Sequence, residues 1–157
     1  MTKEVLISIS GLFHESDETE TVEAAAEGEY FNRGGKHFVL FDELSEETGE
    51  VIRNTIKISG SQIDIIKKGV NNVHMVFLKN RESRADYNTP YGNLMIQMNT
   101  TSLSVEEKQD QILAGIQYEL NINGTYVSER FIQIEVNSKR LGAGDQQREN
   151  NNKTKSQ

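Results

Sequence analysis

The side chains able to transfer protons or hold an anion are spread along this sequence, and no single motif gathers them. Histidines stand at positions 14, 37 and 74 without an i, i+2 or i+4 partner among them. Zinc sites usually draw their ligands at such short spacings, so no metal site is expected, and each imidazole reads as a surface or rim residue. His74 alternates with Val73 and Met75. If the face of Val73, Met75 and Phe77 packs the core, His74 faces solvent. Arg53, Lys68, Tyr87 and Arg130 fall on strands expected to neighbour that of His74. Convergence of several of these five on a cavity, with a perturbed acid or base among them, would make an enzyme.

The stretch Tyr87-Asn88-Thr89-Pro90-Tyr91-Gly92-Asn93-Leu94 holds the only proline, with a glycine two residues on. Proline fixes φ and glycine allows a positive one, so the chain turns sharply here. As structure, this is a rigid hairpin corner. As function, it is a barrel mouth at which Tyr87, Thr89 and Tyr91 meet a ligand. The candidate ligand-binding set is therefore Arg53, Lys68, His74, Tyr87, Thr89, Tyr91 and Arg130, with no catalytic residue and no metal ligand assigned.

Several chemistries are excluded outright. Cysteine is absent, which removes disulfide frameworks, cysteine zinc sites and thiol nucleophiles. There is no nucleophile elbow, P-loop or glycine-rich dinucleotide turn, and Gly34-Gly35 reads as a tight turn. No cofactor is implied. The acidic stretches from Glu15 to Glu23 and from Asp42 to Glu50 lack the alternating carboxylates and fixed glycine of a calcium loop, and read as solvated loops.

The 157 residues carry a net charge of −7. Ser138 to Gln157 contains five basic and two acidic residues, a balance of +3, which leaves −10 on the rest. A body of that sign repels phosphate backbones, and no predicted strand presents a basic face. Neither nucleic acid nor membrane is an expected partner. No apolar run approaches membrane-spanning length and no signal-peptide apolar region opens the chain, so the cytoplasm is the expected compartment.

Strands must position whatever site exists. Runs of five to eight residues rich in Val, Ile, Phe, Tyr and Thr alternate with turn signals at Gly34-Gly35, Gly49, Gly60, Gly69, Asn80, Gly92 and Gly124. The expected strands are Glu4 to Phe13, Thr21 to Ala25, Glu29 to Asn32, His37 to Asp42, Val51 to Ile58, Gln62 to Lys67, Val73 to Lys79, Arg84 to Asn88 and Leu94 to Leu103, followed by one hairpin. In that hairpin Ile112, Ala114, Ile116, Tyr118, Leu120 and Ile122 share a face, and Asn123-Gly124 suits a type I′ turn returning as Thr125 to Val136. A capping box at Ser104 and Glu107 offers a helix instead, but six alternating apolar positions outweigh it, leaving Glu106 to Gln111 as a loop. Helical crossovers are missing, so the strands pair antiparallel. About eight to ten short strands in one small domain are best hidden by closure into an up-and-down β-barrel, with a two-sheet β-sandwich as the alternative.

The expected core is Val5, Ile7, Ile9, Phe38, Leu40, Ile56, Ile58, Val73, Met75, Phe77, Ile116, Leu120, Ile132 and Ile134. The barrel domain spans residues 1–137. Residues 138–157 have almost no apolar mass and read as a disordered polar tail.

At the residues Lys67-Lys68-Gly69, Val73 to Phe77, Tyr87 to Leu94, Tyr118-Glu119-Leu120, Val127-Ser128-Glu129 and the Tyr30 to Leu40 strand pair, the sequence resembles the YwiB-like family of uncharacterised Firmicutes proteins. The likeness covers most of residues 1–137. It implies a calycin-type, lipocalin-like antiparallel β-barrel of the bacterial cytoplasm, without an assigned activity. It offers no catalytic residues to carry over.

The leading functional expectation is a non-enzymatic barrel that binds a small molecule or serves as an interaction module. An enzyme acting on a small ligand at the barrel mouth is one alternative. A homodimeric interaction module is another, because Phe38-Val39-Leu40-Phe41 is apolar on both faces and its outer set must meet something.

Overall fold

The β-branched and aromatic runs form ten strands in the computed structural model: β1 (Glu4–Glu15), β2 (Glu18–Arg33), β3 (Lys36–Leu44), β4 (Val51–Ile58), β5 (Gln62–Lys68), β6 (Val73–Leu78), β7 (Glu82–Thr89), β8 (Gly92–Lys108), β9 (Gln111–Ile122) and β10 (Thr125–Ser138). The structure describes residues 1–15, 18–45, 48–69, 72–90 and 92–139, with backbone alone at 12–15, 18–24, 88 and 89. No helix occurs among the described residues, and so none is long and apolar enough to cross a membrane.

All ladders are antiparallel, in the order β6-β5-β4-β3-β2-β1-β10-β9-β8-β7. The first and last strands pair in the middle of this order, with Ile7 opposite Val136. The two edges, β6 and β7, are consecutive in sequence and lie side by side. One sheet thus curls round on itself into a barrel that backbone hydrogen bonds leave unclosed, which is the expected barrel rather than the sandwich.

Alternation places the core. On β9, Ile112, Ala114, Ile116, Tyr118 and Leu120 are buried while the residues between them are partly exposed. Asn123 and Gly124 have φ of 49° and 83°, the two positive values that a type I′ hairpin needs. Val5, Ile7, Ile56, Ile58, Ile63, Phe77, Met98, Ile134 and Val136 complete the interior from the other strands.

Several expectations need correction. The loop expected over Glu106 to Gln111 shrinks to Gln109 and Asp110, because Glu106, Glu107 and Lys108 pair with Leu113, Ile112 and Gln111. The strands expected at Thr21 to Ala25 and Glu29 to Asn32 are one strand. Gly28 lets it pass close under its neighbours: a Cβ there would lie 2.4 Å from the Leu40 carbonyl oxygen and 2.6 Å from Ile7 Cδ1.

On β3 the core face is that of Val39 and Phe41, not Phe38 and Leu40. That strand is apolar on both faces, so composition does not choose between them; the Gly34-Gly35 turn sets Arg33 opposite Lys36 and with it the register. The outward Phe38 stacks on Phe31 with centroids 4.9 Å apart and rings 3° from parallel. Arg33 lies 5.4 Å over the Phe31 ring and Lys57 5.7 Å over that of Phe38. Cationic side chains of the chain itself thus lie over part of this outer apolar set.

Finally, His37 is buried rather than at the surface or rim, only 7% exposed. At the chain end, β10 continues through Ser138. Lys139 N–H then donates to the Glu4 carbonyl at 3.0 Å, and its ammonium lies 2.6 Å from Glu27. Residues 140–157 of the expected tail lie outside the described residues.

Candidate functional site

The unclosed seam between β6 and β7 is where the barrel wall opens. A tight turn joins these strands, with Arg81 N–H donating to the Leu78 carbonyl at 3.0 Å and Asn80 at φ 57°. Just beyond it the Ser83 hydroxyl donates to the Val76 carbonyl, bridging the seam by a side chain. Backbone groups alternate sides along a strand, so the N–H of Val76 and both backbone groups of His74 also point across the seam. On β7 the Arg81 carbonyl accepts from Thr100 N–H at 3.1 Å on the β8 side. By the same alternation, Arg84 and Asp86 turn their backbone groups toward the seam.

This slot has a volume of about 400 Å³. Residues from both faces of the wall line it. Lys68, His74, Arg84 and Asp86 come from the outer face, and Lys67, Val73 and Ala85 from the core face. Ile66 and Val76 add an apolar floor.

Each ionisable group in the slot is held differently. Asp64, buried on β5, accepts His74 Nε2 at 2.9 Å through Oδ2 and Gln62 Nε2 at 2.8 Å through Oδ1. With Nε2 engaged by the carboxylate, Nδ1 is the nitrogen left for a ligand. Arg84 Nε lies 3.1 Å from Glu82 on the same strand, and both are largely exposed. Lys67 donates to Glu43 Oε1 at 2.7 Å, and Asn54 Nδ2 donates to the same oxygen at 3.0 Å. Burial pushes the Glu43 carboxyl up, but these two donors and the ammonium charge outweigh it and hold it below the usual glutamate range. Lys68 and Asp86 make no ion pair or side-chain hydrogen bond among the described residues.

The residues expected to form the site divide between the two sides of the wall. Lys68 and His74 meet in the slot. Arg53 is on the same outer face, directly opposite Lys68 in the β4–β5 ladder, one strand away from the slot. Tyr87 shares the core-side face of Ala85, opposite Leu94. Arg130 pairs with the buried Tyr118 on the core side, and its Nε donates to Ser128 Oγ at 3.0 Å. Burial pushes the Tyr118 hydroxyl above the ordinary phenol range, against the opposing pull of Arg130. The Thr89 side chain and Tyr91 lie outside the described residues. The five described members therefore do not converge on one cavity.

Sequence reasoning missed Arg84, Asp86 and Asp64. Asp64 carries a signal, a carboxylate set inside the apolar run Ile63-Asp64-Ile65-Ile66. Nothing in the sequence sets Arg84 and Asp86 apart from other surface charges.

A second polar constellation closes the barrel end nearest the chain's first residue. The Tyr30 hydroxyl lies 2.7 Å from His37 Nδ1, and His37 Nε2 lies 2.8 Å from Glu107 Oε1. A carboxylate only accepts, so in neutral imidazole Nε2 donates and Nδ1 accepts the tyrosine proton. The Met1 ammonium donates to the Gln109 carbonyl at 3.0 Å beside it. No group of three or more metal-ligating side chains exists among the described residues.

Fold and site together define a ten-stranded antiparallel β-barrel with a charged slot through one seam of its wall. Residues 7–134 match the family model described as a domain of unknown function, DUF1934, and the chain belongs to that family. Its fold is that of the ywiB protein from Bacillus subtilis, whose crystal structure it matches with a TM-score of 0.72 over 88% of this chain and 93% of that one, at 14% identity. At that identity the likeness is one of fold. No curated protein matches the chain. The YwiB-like resemblance read from the sequence is thereby established.

Proposed function

We propose that this protein is a non-enzymatic barrel that binds a small anionic molecule, and that the β6–β7 slot is where it binds. The observation that carries this reading is a slot of about 400 Å³ lined by three cationic side chains, one of them without a partner among the described residues, on a body of net negative charge. That volume falls within the range of small-molecule sites. Unpaired backbone groups of His74, Arg84 and Asp86 and the apolar Ile66 and Val76 supply the remaining contacts. The arrangement departs from a lipocalin-like cup because the ligand enters through the wall rather than along the barrel axis. A cytoplasmic setting belongs to the same proposal.

Fluorescence titration with anilinonaphthalene sulfonate, an anion on an apolar body, tests the site. The native chain should bind one equivalent, and the Lys68→Glu/Arg84→Glu double variant should lose it. Binding unchanged by that charge reversal would overturn the assignment.

A further inference from the structure

We infer that the anionic group taken by the slot is a phosphate monoester in its dianionic form, and that His74 takes up a proton when it binds. This rests on the slot being the binding site proposed above.

The donors in the slot differ in kind and strand. Lys68 brings an ammonium, unpaired among the described residues, from the end of β5. Arg84 on β7 has its Nε turned to Glu82, which leaves the two terminal guanidinium nitrogens for a ligand. His74 on β6 presents Nδ1, its other nitrogen being tied to buried Asp64. A carboxylate has two oxygens in one plane, which a single guanidinium satisfies. A phosphate monoester has three terminal oxygens and up to two charges, and matches three donors placed on three strands.

His74 becomes the third donor only when protonated, because a neutral ring that donates through Nε2 can only accept at Nδ1. Asp64 then serves as counter-ion to the imidazolium, with its second oxygen already satisfied by Gln62. The charged groups around His74 are Asp64, Lys67 and Lys68 from β5 and Glu82, Arg84 and Asp86 from β7. An arriving dianion beside the ring favours the imidazolium there, because an opposite charge stabilises the protonated form. Asp86, negative and unpaired among the described residues on the same wall, repels a bare phosphate oxygen and suits a hydroxyl or amine of the ester's organic part.

Nuclear magnetic resonance of the full chain with inorganic phosphate, methyl phosphate, sulfate and acetate tests this. The two phosphates should shift resonances of β6 and β7 and raise the titration midpoint of the His74 ring, whereas acetate should bind at least about tenfold more weakly and leave the midpoint in place. Lys68→Ala and Arg84→Ala should each weaken phosphate binding by about tenfold or more. His74→Gln should weaken phosphate binding and abolish the proton uptake that calorimetry reads in buffers of different ionisation enthalpy. Acetate binding as well as phosphate, or an unmoved His74 midpoint with phosphate bound, would overturn the phosphate assignment and leave the slot reading standing. An unperturbed seam with every anion would overturn both.

Discussion

His37 and Glu107 are seventy residues apart in the chain and sit on β3 and β8, five places apart in a ring of ten strands, yet their side chains meet at 2.8 Å. Strands at opposite positions of a circular barrel would stand a full diameter apart. The contact ties β3 to β8 across this end of the barrel by side chains alone, with Tyr30 completing the chain of hydrogen bonds.

A shared network of this kind is cooperative. Tyr30→Phe and Glu107→Gln should each lower stability by about 1 kcal/mol, and the double variant should fall short of their sum by about 0.5 kcal/mol or more. Urea unfolding of the four proteins measures the cycle. Strict additivity would separate the two hydrogen bonds energetically.

The two faces of β3 should respond unequally to truncation. Phe41→Ala opens a cavity in the core and should cost about 3–5 kcal/mol. Phe38→Ala removes an outer ring stacked on Phe31 and should cost about 1 kcal/mol. Urea midpoints in the reverse order would contradict the register given by the Gly34-Gly35 turn.

Glu43 predicts the acid limb of stability. Its carboxyl is held below the usual glutamate range in the fold, so its contribution is complete above the unfolded value and disappears as pH falls through the folded one. Unfolding free energy should therefore decline with acidification through and below the ordinary carboxylate range, and the decline should be shallower in Glu43→Gln. An unchanged slope in the variant would show that the Lys67 and Asn54 contacts add nothing.

Tyr118 acts at the alkaline limb. A phenol whose folded pKa is raised contributes stability below its unfolded value, and this is lost as pH rises through the folded one. Ultraviolet titration should show one of the five tyrosines ionising later than the rest and together with unfolding. In Tyr118→Phe that late step should vanish; its persistence would assign it to another tyrosine.

Much of this architecture is written locally. Alternation from Ile112 to Ile122, the Asn123-Gly124 turn and the lack of helical crossovers suffice for an antiparallel meander, because strand period and turn chemistry act over a few residues. The pairing of β1 with β10 joins residues more than one hundred apart, and that of His37 with Glu107 joins residues seventy apart; neither leaves a periodic mark. Phe38 to Phe41 is apolar on both faces, so only the ladder with β2 and β4 decides which side is buried. Lys68 and His74 were legible as candidates from their chemistry and strand positions. That they face Arg84 and Asp86 across an open seam, while Tyr87 and Arg130 turn to the other side of the wall, was decided by the tertiary structure, because curling one sheet brings its two edges together and sends adjacent residues to opposite faces.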